Sequence, residues 1–225
     1  MNRKTLAAIG MSLVSLLLLQ AQVPNEGFAN SIIAARNSNA ALMKQYSWNC
    51  RTEVLESGIP KDTRIDAVTW GPDGQPQHAL LNDQANPLPR GFFRRRFAER
   101  ERQESEAYLN SLRTFLHQYT SPNAGQIINL ISTNPIQPGP DGTLQVSGSS
   151  VVVPGDTVSL SIFAPSRLTR RMTLMTFFQG DEVTVTATFK SLATGLNYPA
   201  YVQVHGPEKN LTVLIQNYDY INQDN

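Results

Sequence analysis

From Thr143 to Tyr218, apolar and polar residues alternate with a period of two, and this pattern limits the fold more than any other feature of the chain. Val158, Leu160 and Ile162 alternate with Ser159, Ser161 and Phe163. Val183, Val185, Ala187 and Phe189 alternate with Thr184, Thr186 and Thr188. Successive side chains of a strand point to opposite faces, so each run has one apolar face and one polar face. Pro154-Gly155-Asp156, Gln179-Gly180-Asp181, Thr194-Gly195 and Gly206-Pro207 separate the runs. Such residues make tight turns: Pro presets φ, Gly accepts a positive φ, and Asp bonds to nearby backbone. The strands expected are Thr143 to Val153, Val158 to Phe163, Leu168 to Phe178, Val183 to Phe189, Tyr201 to His205 and Leu211 to Tyr218. Turns this short join antiparallel neighbours, so the segment reads as a meander with a threonine-rich outer face.

The first half is mixed. Ile32, Ile33, Ala35, Ala40, Leu42 and Met43 give the segment from about Ala29 to Lys44 one apolar side, which predicts a helix with Asn25 or Asn30 as its cap. Period two returns at Tyr46, Trp48, Cys50, Thr52 and Val54. A second strand is expected from Thr63 to Trp70, then a turn at Gly71-Pro72-Asp73-Gly74 and a return strand from Gln77 to Leu81. Tyr108, Leu112, Phe115, Leu116 and Tyr119 form a stripe at helical spacing within a long segment from about Arg94 to Tyr119. Ser121-Pro122 stops it and starts a shorter helix over about Asn123 to Ser132, with proline at the first helical position. Helices and strands are segregated, so the class is α+β. The architecture expected is a single curved antiparallel sheet, a half-barrel. An N-terminal helix and a helical insertion at about residues 90–133 would pack on its concave face.

The N-terminus predicts export. Arg3 and Lys4 precede an uncharged, mostly apolar run from Leu6 to Leu19, and Gln20-Ala21-Gln22 follows. That is the order of a signal peptide, over residues 1–21, with cleavage after Ala21 and a second possible site at Gly27-Phe28-Ala29. The run is shorter than the roughly 20 apolar residues a membrane span needs. Residues 22–225 then form a single domain. Cys50 is the one cysteine, so no internal disulfide forms, and it lies too far along to carry a lipid at the mature N-terminus. A disulfide-free exported domain fits the bacterial periplasm. Without Arg3 and Lys4 the chain has 17 basic and 18 acidic residues, a balance that gives no general reason to bind nucleic acid.

This order of elements resembles the periplasmic lipoprotein carriers of the LolA/LolB-like superfamily. The local likeness lies in Gly155-Asp156-Thr157-Val158-Ser159-Leu160, then Leu168-Thr169-Arg170-Arg171-Met172, and continues through the turn at Gly180-Asp181 to Phe189. The long arginine-rich helical insertion departs from the compact carriers. The resemblance implies an unclosed barrel with an apolar concavity and a non-enzymatic role, with a lipid or lipoprotein as partner.

No sequence pattern predicts catalysis. His78, His117 and His205 share no ligand spacing, no nucleophile elbow or phosphate loop is present, and neither metal nor cofactor is expected. The residues expected to line an apolar ligand are Trp48, Val158, Leu160, Ile162, Met172, Leu174, Val183, Val185, Val213 and Ile215; they are core instead wherever helices fill the concavity. Arg90, Arg94, Arg95, Arg96, Arg100 and Arg102 stand beside Phe92, Phe93 and Phe97. Such a segment suits an anionic membrane surface or an acidic envelope protein. It also suits a solvated helix, because Arg100–Glu104 and Arg102–Glu106 are spaced i,i+4. Arg170 is the candidate for a ligand headgroup.

Overall fold

The computed structural model describes residues 25–83, 92–120 and 122–223, with the side chains of residues 25, 92–98, 101 and 102 outside the description. The expected signal peptide therefore lies outside the described residues. The chain runs α1 (Asn25–Met43), β1 (Tyr46–Glu56), β2 (Ile59–Trp70), β3 (Pro76–Asp83), α2 (Phe92–Thr120) and α3 (Ala124–Thr133). It continues with β4 (Gln137–Pro138), β5 (Thr143–Ser149), β6 (Thr157–Phe163), β7 (Thr169–Phe178), β8 (Asp181–Ser191), β9 (Asn197–Gly206) and β10 (Leu211–Asn222). All ten strands form one antiparallel sheet in the order β3-β2-β1-β10-β9-β8-β7-β6-β5-β4. The sheet stays open, with β3 and β4 as its edges. This is the α+β half-barrel read from the alternation.

The pairing of β10 with β1 joins the two halves of the sheet. It puts Tyr46 opposite Asn222 and Glu56 opposite Leu211. Cross-strand register then carries one row over seven strands: Val54, Val213, Val204, Val185, Leu174, Val158 and Gly148. The next row is Thr52, Ile215, Val202, Ala187, Met172, Leu160 and Val146. Both rows lie on the inner face, where the helices pack. The outer face carries Thr173 opposite Thr186, and Ser159 bonded to Ser147.

Two local expectations are corrected. The strand expected to reach Val153 ends at Ser149, because the amides of Val151, Val152 and Val153 are taken by the Asp156 carboxylate. Helix α3 does not start on proline. Asn123 caps it by accepting from the Gln126 amide at 2.9 Å, while the Gln126 side chain accepts from the Asn123 amide at 2.9 Å. This reciprocal box satisfies two amide donors at the helix start, a gain of about 1 kcal/mol over alanine. Pro122 lies outside the helix.

A candidate ligand site on the inner face

The inner face divides into a sealed half and an open half. Over β5 to β9 the helices cover most of it, leaving Leu160, Met172 and Val202 half-buried. Phe28, Ala29 and Ile32 of α1, Leu112 and Tyr119 of α2, and Ile127, Leu130 and Ile131 of α3 meet Val146, Val158, Ile162, Leu174, Phe178, Val183, Val185 and Val204. Gly148 permits the closest approach: a Cβ there would stand 2.6 Å from Leu130 Cδ1 and 2.7 Å from Asn134 Nδ2. Burying a side chain such as Leu174 or Val183 stabilises the fold by about 1.5–3 kcal/mol.

Asp156 ties α2 to this core. It is 0 % exposed. Its carboxylate accepts from the amides of Val151, Val152 and Val153 at 2.6, 2.9 and 2.9 Å, and from the Tyr119 hydroxyl at 3.0 Å. Tyr119 has one proton to give, so Thr176, 3.0 Å away, donates to the Tyr119 oxygen. Burial alone would raise the Asp156 pKa, but the three backbone bonds and Tyr119 outweigh it and hold the carboxyl below its ordinary range. Burial pushes the Tyr119 phenol up to about 12, with the Asp156 charge adding to the rise.

The open half is made by β10, β1, β2 and β3, with Val202 of β9 at its border. Helices α1 and α2 flank it at opposite strand ends. Asn39 of α1 holds Asn197, the first residue of β9, through two hydrogen bonds of 2.8 Å, and the Trp70 indole donates to the Met43 carbonyl at 2.8 Å. Tyr108 of α2 lies at the other end, with the Lys209 ammonium 5.9 Å from its ring. Between them Thr52, Val54, Val202, Val213 and Ile215 are only half-buried. Towards the edge Leu80 is 53 % exposed. The result is a trough with an apolar floor.

One end of the trough is aromatic. Trp48 stacks on Tyr220 with centroids 5.5 Å apart and tilts against Trp70 at 6.0 Å; Tyr198 lies 4.1 Å from Tyr220. The Trp48 indole donates to Asn217 at 3.2 Å. The Tyr220 hydroxyl is buried and has no hydrogen-bond partner among the described residues. Burial raises its pKa, and Tyr198 and Cys50 add to the rise. The Tyr108 hydroxyl is likewise buried without a hydrogen-bond partner among the described residues. Arg36 of α1 is a further donor. It follows Ile32 by four residues and Ile33 by three, which puts it on the sheet-facing side of α1. It is half-buried, has no hydrogen-bond or ion-pair partner among the described residues, and burial lowers its pKa.

Beside the aromatic end, Asp66 receives both of its polar contacts from neighbours on the sheet. Arg64 Nε donates to its two oxygens at 2.7 and 2.9 Å, and His78 Nδ1 stands 3.5 Å from Oδ2. Cys50 is directly opposite Asp66 in the register. Its thiol is buried and pushed up in pKa by burial, and its nearest polar partner is the Thr52 hydroxyl at 3.9 Å. A thiol held protonated in this way is a poor nucleophile. No group of three or more metal-ligating side chains occurs among the described residues.

The residues expected to line a ligand fall on both halves. Val158, Ile162, Leu174, Val183 and Val185 are in the sealed core, and Leu160 and Val213 pack against it half-buried. Met172 and Ile215 are half-buried on the row next to them, and Trp48 belongs to the aromatic end. Phe92, Phe93, Arg94, Arg95 and Arg96 lie on α2, with side chains outside the described residues. Arg100 does pair with Glu104, at 2.8 Å. Arg170 is stacked on Phe163, its guanidinium 4.7 Å from the ring, and donates to Ser191 at 3.3 Å. Arg36, Asp156 and Tyr220 were not among the expected functional residues. Helical spacing from Ile32 and Ile33 is the signal that could have found Arg36. Two further grooves are shallow. One of about 390 Å³ lies on the outer face among Arg51, Ile65, Asn82 and Tyr218, and one of about 290 Å³ lies between α1 and the β6–β7 and β8–β9 turns.

The molecule is an open antiparallel half-barrel with helices on its inner face. Two solved structures are similar to it. A DUF1329 family protein from Desulfovibrio piger matches over 88 % of this chain and 92 % of its own, with a TM-score of 0.41 and 9 % identity. A LolA superfamily protein from Nitrosomonas europaea matches over 85 % of this chain and 92 % of its own, with a TM-score of 0.38 and 11 % identity. The second bears the name of the superfamily whose order of elements this sequence resembles. No family model matches the sequence, and no curated protein is similar to it. No helix of the described residues is long and apolar enough to cross a membrane.

Proposed function

We propose that this chain is an exported, non-enzymatic binding or carrier protein that holds an apolar, acyl-type ligand on the open half of its inner face. The observation that carries this reading is the division of that face. Val54, Val202, Val213 and Ile215 continue the apolar rows of the sealed core, yet they are left half-buried between α1 and α2. A core that ends in mid-row leaves apolar area in contact with water, at a cost of about 25 cal/mol for each Å². A bound acyl chain removes that cost without rearranging the sealed half. The ligand then rests on Val213, Ile215 and Trp48 rather than on Val158, Ile162, Leu174, Val183 or Val185.

One preparation tests both address and cargo. The full chain is expressed with its own N-terminus in a bacterium and recovered from the periplasmic fraction. Intact-mass measurement is expected to give a chain beginning at Gln22, and native mass spectrometry a bound acyl species. Ile215→Trp, which fills the trough, is expected to abolish the bound species while the protein stays folded. A chain recovered only in the cytoplasm sinks the export reading. A folded protein that carries no acyl species, and takes up none on incubation with fatty-acid-loaded vesicles, sinks the carrier reading.

A further inference from the structure

Of the seven tyrosines in the chain, five are engaged within the fold. Tyr46 and Tyr119 bond through their hydroxyls, and Tyr108, Tyr198 and Tyr220 pack their rings on other aromatic residues. Tyr201 and Tyr218 do neither: no ring contact and no side-chain hydrogen bond engages them among the described residues. Tyr201 is 40 % exposed.

Both stand on the outer face of the sheet. Ile215 faces inwards, so Gln216 and Tyr218 of β10 face outwards, and the register sets Tyr201 of β9 directly opposite Gln216. The same row continues through Arg51 of β1, Ile65 of β2 and Asn82 of β3. Neighbouring strands lie about 4.8 Å apart, so these five residues form a strip about 19 Å long. From Gln216 to Asn82 the strip is hollowed into the outer groove of about 390 Å³, whose lining also includes Thr63 and Tyr218.

The polar groups of this groove are unspent. Elsewhere on the outer face Ser147 and Ser159 bond to each other. Here Thr63, Asn82, Gln216 and Tyr218 make no side-chain hydrogen bond to any described residue. Arg51 is paired with Glu53, so the one cation of the lining carries its own counter-charge. The groove thus offers little to an ion. It offers two carboxamides, each with donors and an acceptor, and two hydroxyls that serve as either. Between them lie the Ile65 side chain and the tyrosine rings. A ligand that alternates hydroxyl and amide groups with apolar C–H faces answers this surface, and a chain of sugars has that form. An acyl chain needs the dry apolar floor of the opposite face.

We infer that the outer strip from Tyr201 to Asn82 is a second binding site, and that its ligand is an uncharged glycan strand bearing acetamido groups. Sugar rings rest on Tyr218 and Tyr201, while Asn82 and Gln216 pair with the acetamido and hydroxyl groups. The site lies on the other side of the sheet from the trough and does not depend on the acyl-ligand reading.

The test titrates the purified chain with N-acetyl-chitotetraose, by calorimetry for affinity and by amide NMR spectra for location. Shifts are expected on β9, β10, β1, β2 and β3, centred on Gln216 and Arg51. Tyr218→Ala is expected to weaken binding by about tenfold or more, and Asn82→Ala by about three- to tenfold. Tyr218 and Asn82 are not core residues, so both variants should keep the wild-type circular dichroism melt. Ile215→Trp, which fills the trough, should leave sugar binding unchanged. Cellotetraose, which has the hydroxyls without the acetamido groups, should bind more weakly than N-acetyl-chitotetraose. No binding of either sugar at about 10 mM, a concentration that reveals even millimolar affinity, overturns the inference. So does a folded Tyr218→Ala that binds as wild type does, or a set of shifts confined to the inner face. Equal binding of the two sugars overturns the acetamido assignment.

Discussion

Replacing Asp156 by alanine should be among the most damaging single changes in the core. The carboxylate is fully buried and accepts four hydrogen bonds, three from the amides of Val151, Val152 and Val153 and one from Tyr119. Each bond to a charged group is worth about 1.5–3 kcal/mol net. Their sum overstates the loss, because alanine also removes the desolvation cost of the carboxylate and water can reach the half-buried valine amides. Breaking a buried charged network by removing one partner costs about 3–5 kcal/mol. For a domain of this size each kcal/mol lowers the melting temperature by about 2–4 °C, so Asp156→Ala should melt about 6–20 °C below wild type. The Asp156 pKa is held below its unfolded value of about 3.9. Its contribution is therefore complete above that pH and is lost as pH falls through the folded pKa. Thermal melts followed by circular dichroism at pH 7 and at pH 3 check both points. The gap between variant and wild type should be wide at pH 7 and should narrow at pH 3. A gap under about 2 °C at pH 7, less than the effect of 1 kcal/mol, refutes the reasoning. So does a gap that widens in acid.

The remaining expectations concern α2 and α3. Tyr119 is held neutral to about 12, so its contribution to stability is complete below its unfolded pKa of about 10 and is lost as pH rises through 12. Alkaline absorbance titration of Tyr119→Phe against wild type should remove a late-titrating phenol, and the loss of an early one would contradict the assignment. Asn123→Ala breaks the capping box and should cost about 1 kcal/mol, read as a lower urea midpoint with an unchanged slope. A midpoint equal to wild type would show that the box is not holding α3.

Alternation and turn residues are enough to find every strand but the two-residue β4, and to say which residues share a face. Alternation could not say which strands are neighbours, because a period fixes orientation and not partner. The pairing of β1 with β10 is of this kind: Tyr46 and Asn222 meet across almost the whole chain. Val151, Val152 and Val153 read as strand because β-branched residues favour it. What ends β5 there is a carboxylate a few residues later, which serves as a hydrogen-bond acceptor for their amides. Pro122 was the visible helix signal, but Asn123 and Gln126 form the cap. The residues expected to line a ligand are identifiable as inner-face residues. Whether each is sealed or open depends on where α1 and α2 cross the sheet, and a residue's own neighbours in sequence do not carry that information. Arg36 was hidden for a simpler reason. An arginine in an amphipathic helix is ordinarily assigned to the solvent side, and only its spacing from Ile32 and Ile33 says otherwise.

The place of β10 between β1 and β9 also sets the order in which this molecule can be built. The meander from β5 to β9 is made of neighbours in sequence and can zip up locally. The hairpins β1 to β3 join it through β10, the strand that bridges them among the described residues. Contacts of such long separation are slow to form, since loop closure must be completed before any pairing energy is gained. The open trough straddles that bridge, with Ile215 and Val213 on β10 itself. The site proposed for the ligand is thus assembled only once β10 has paired on both of its sides.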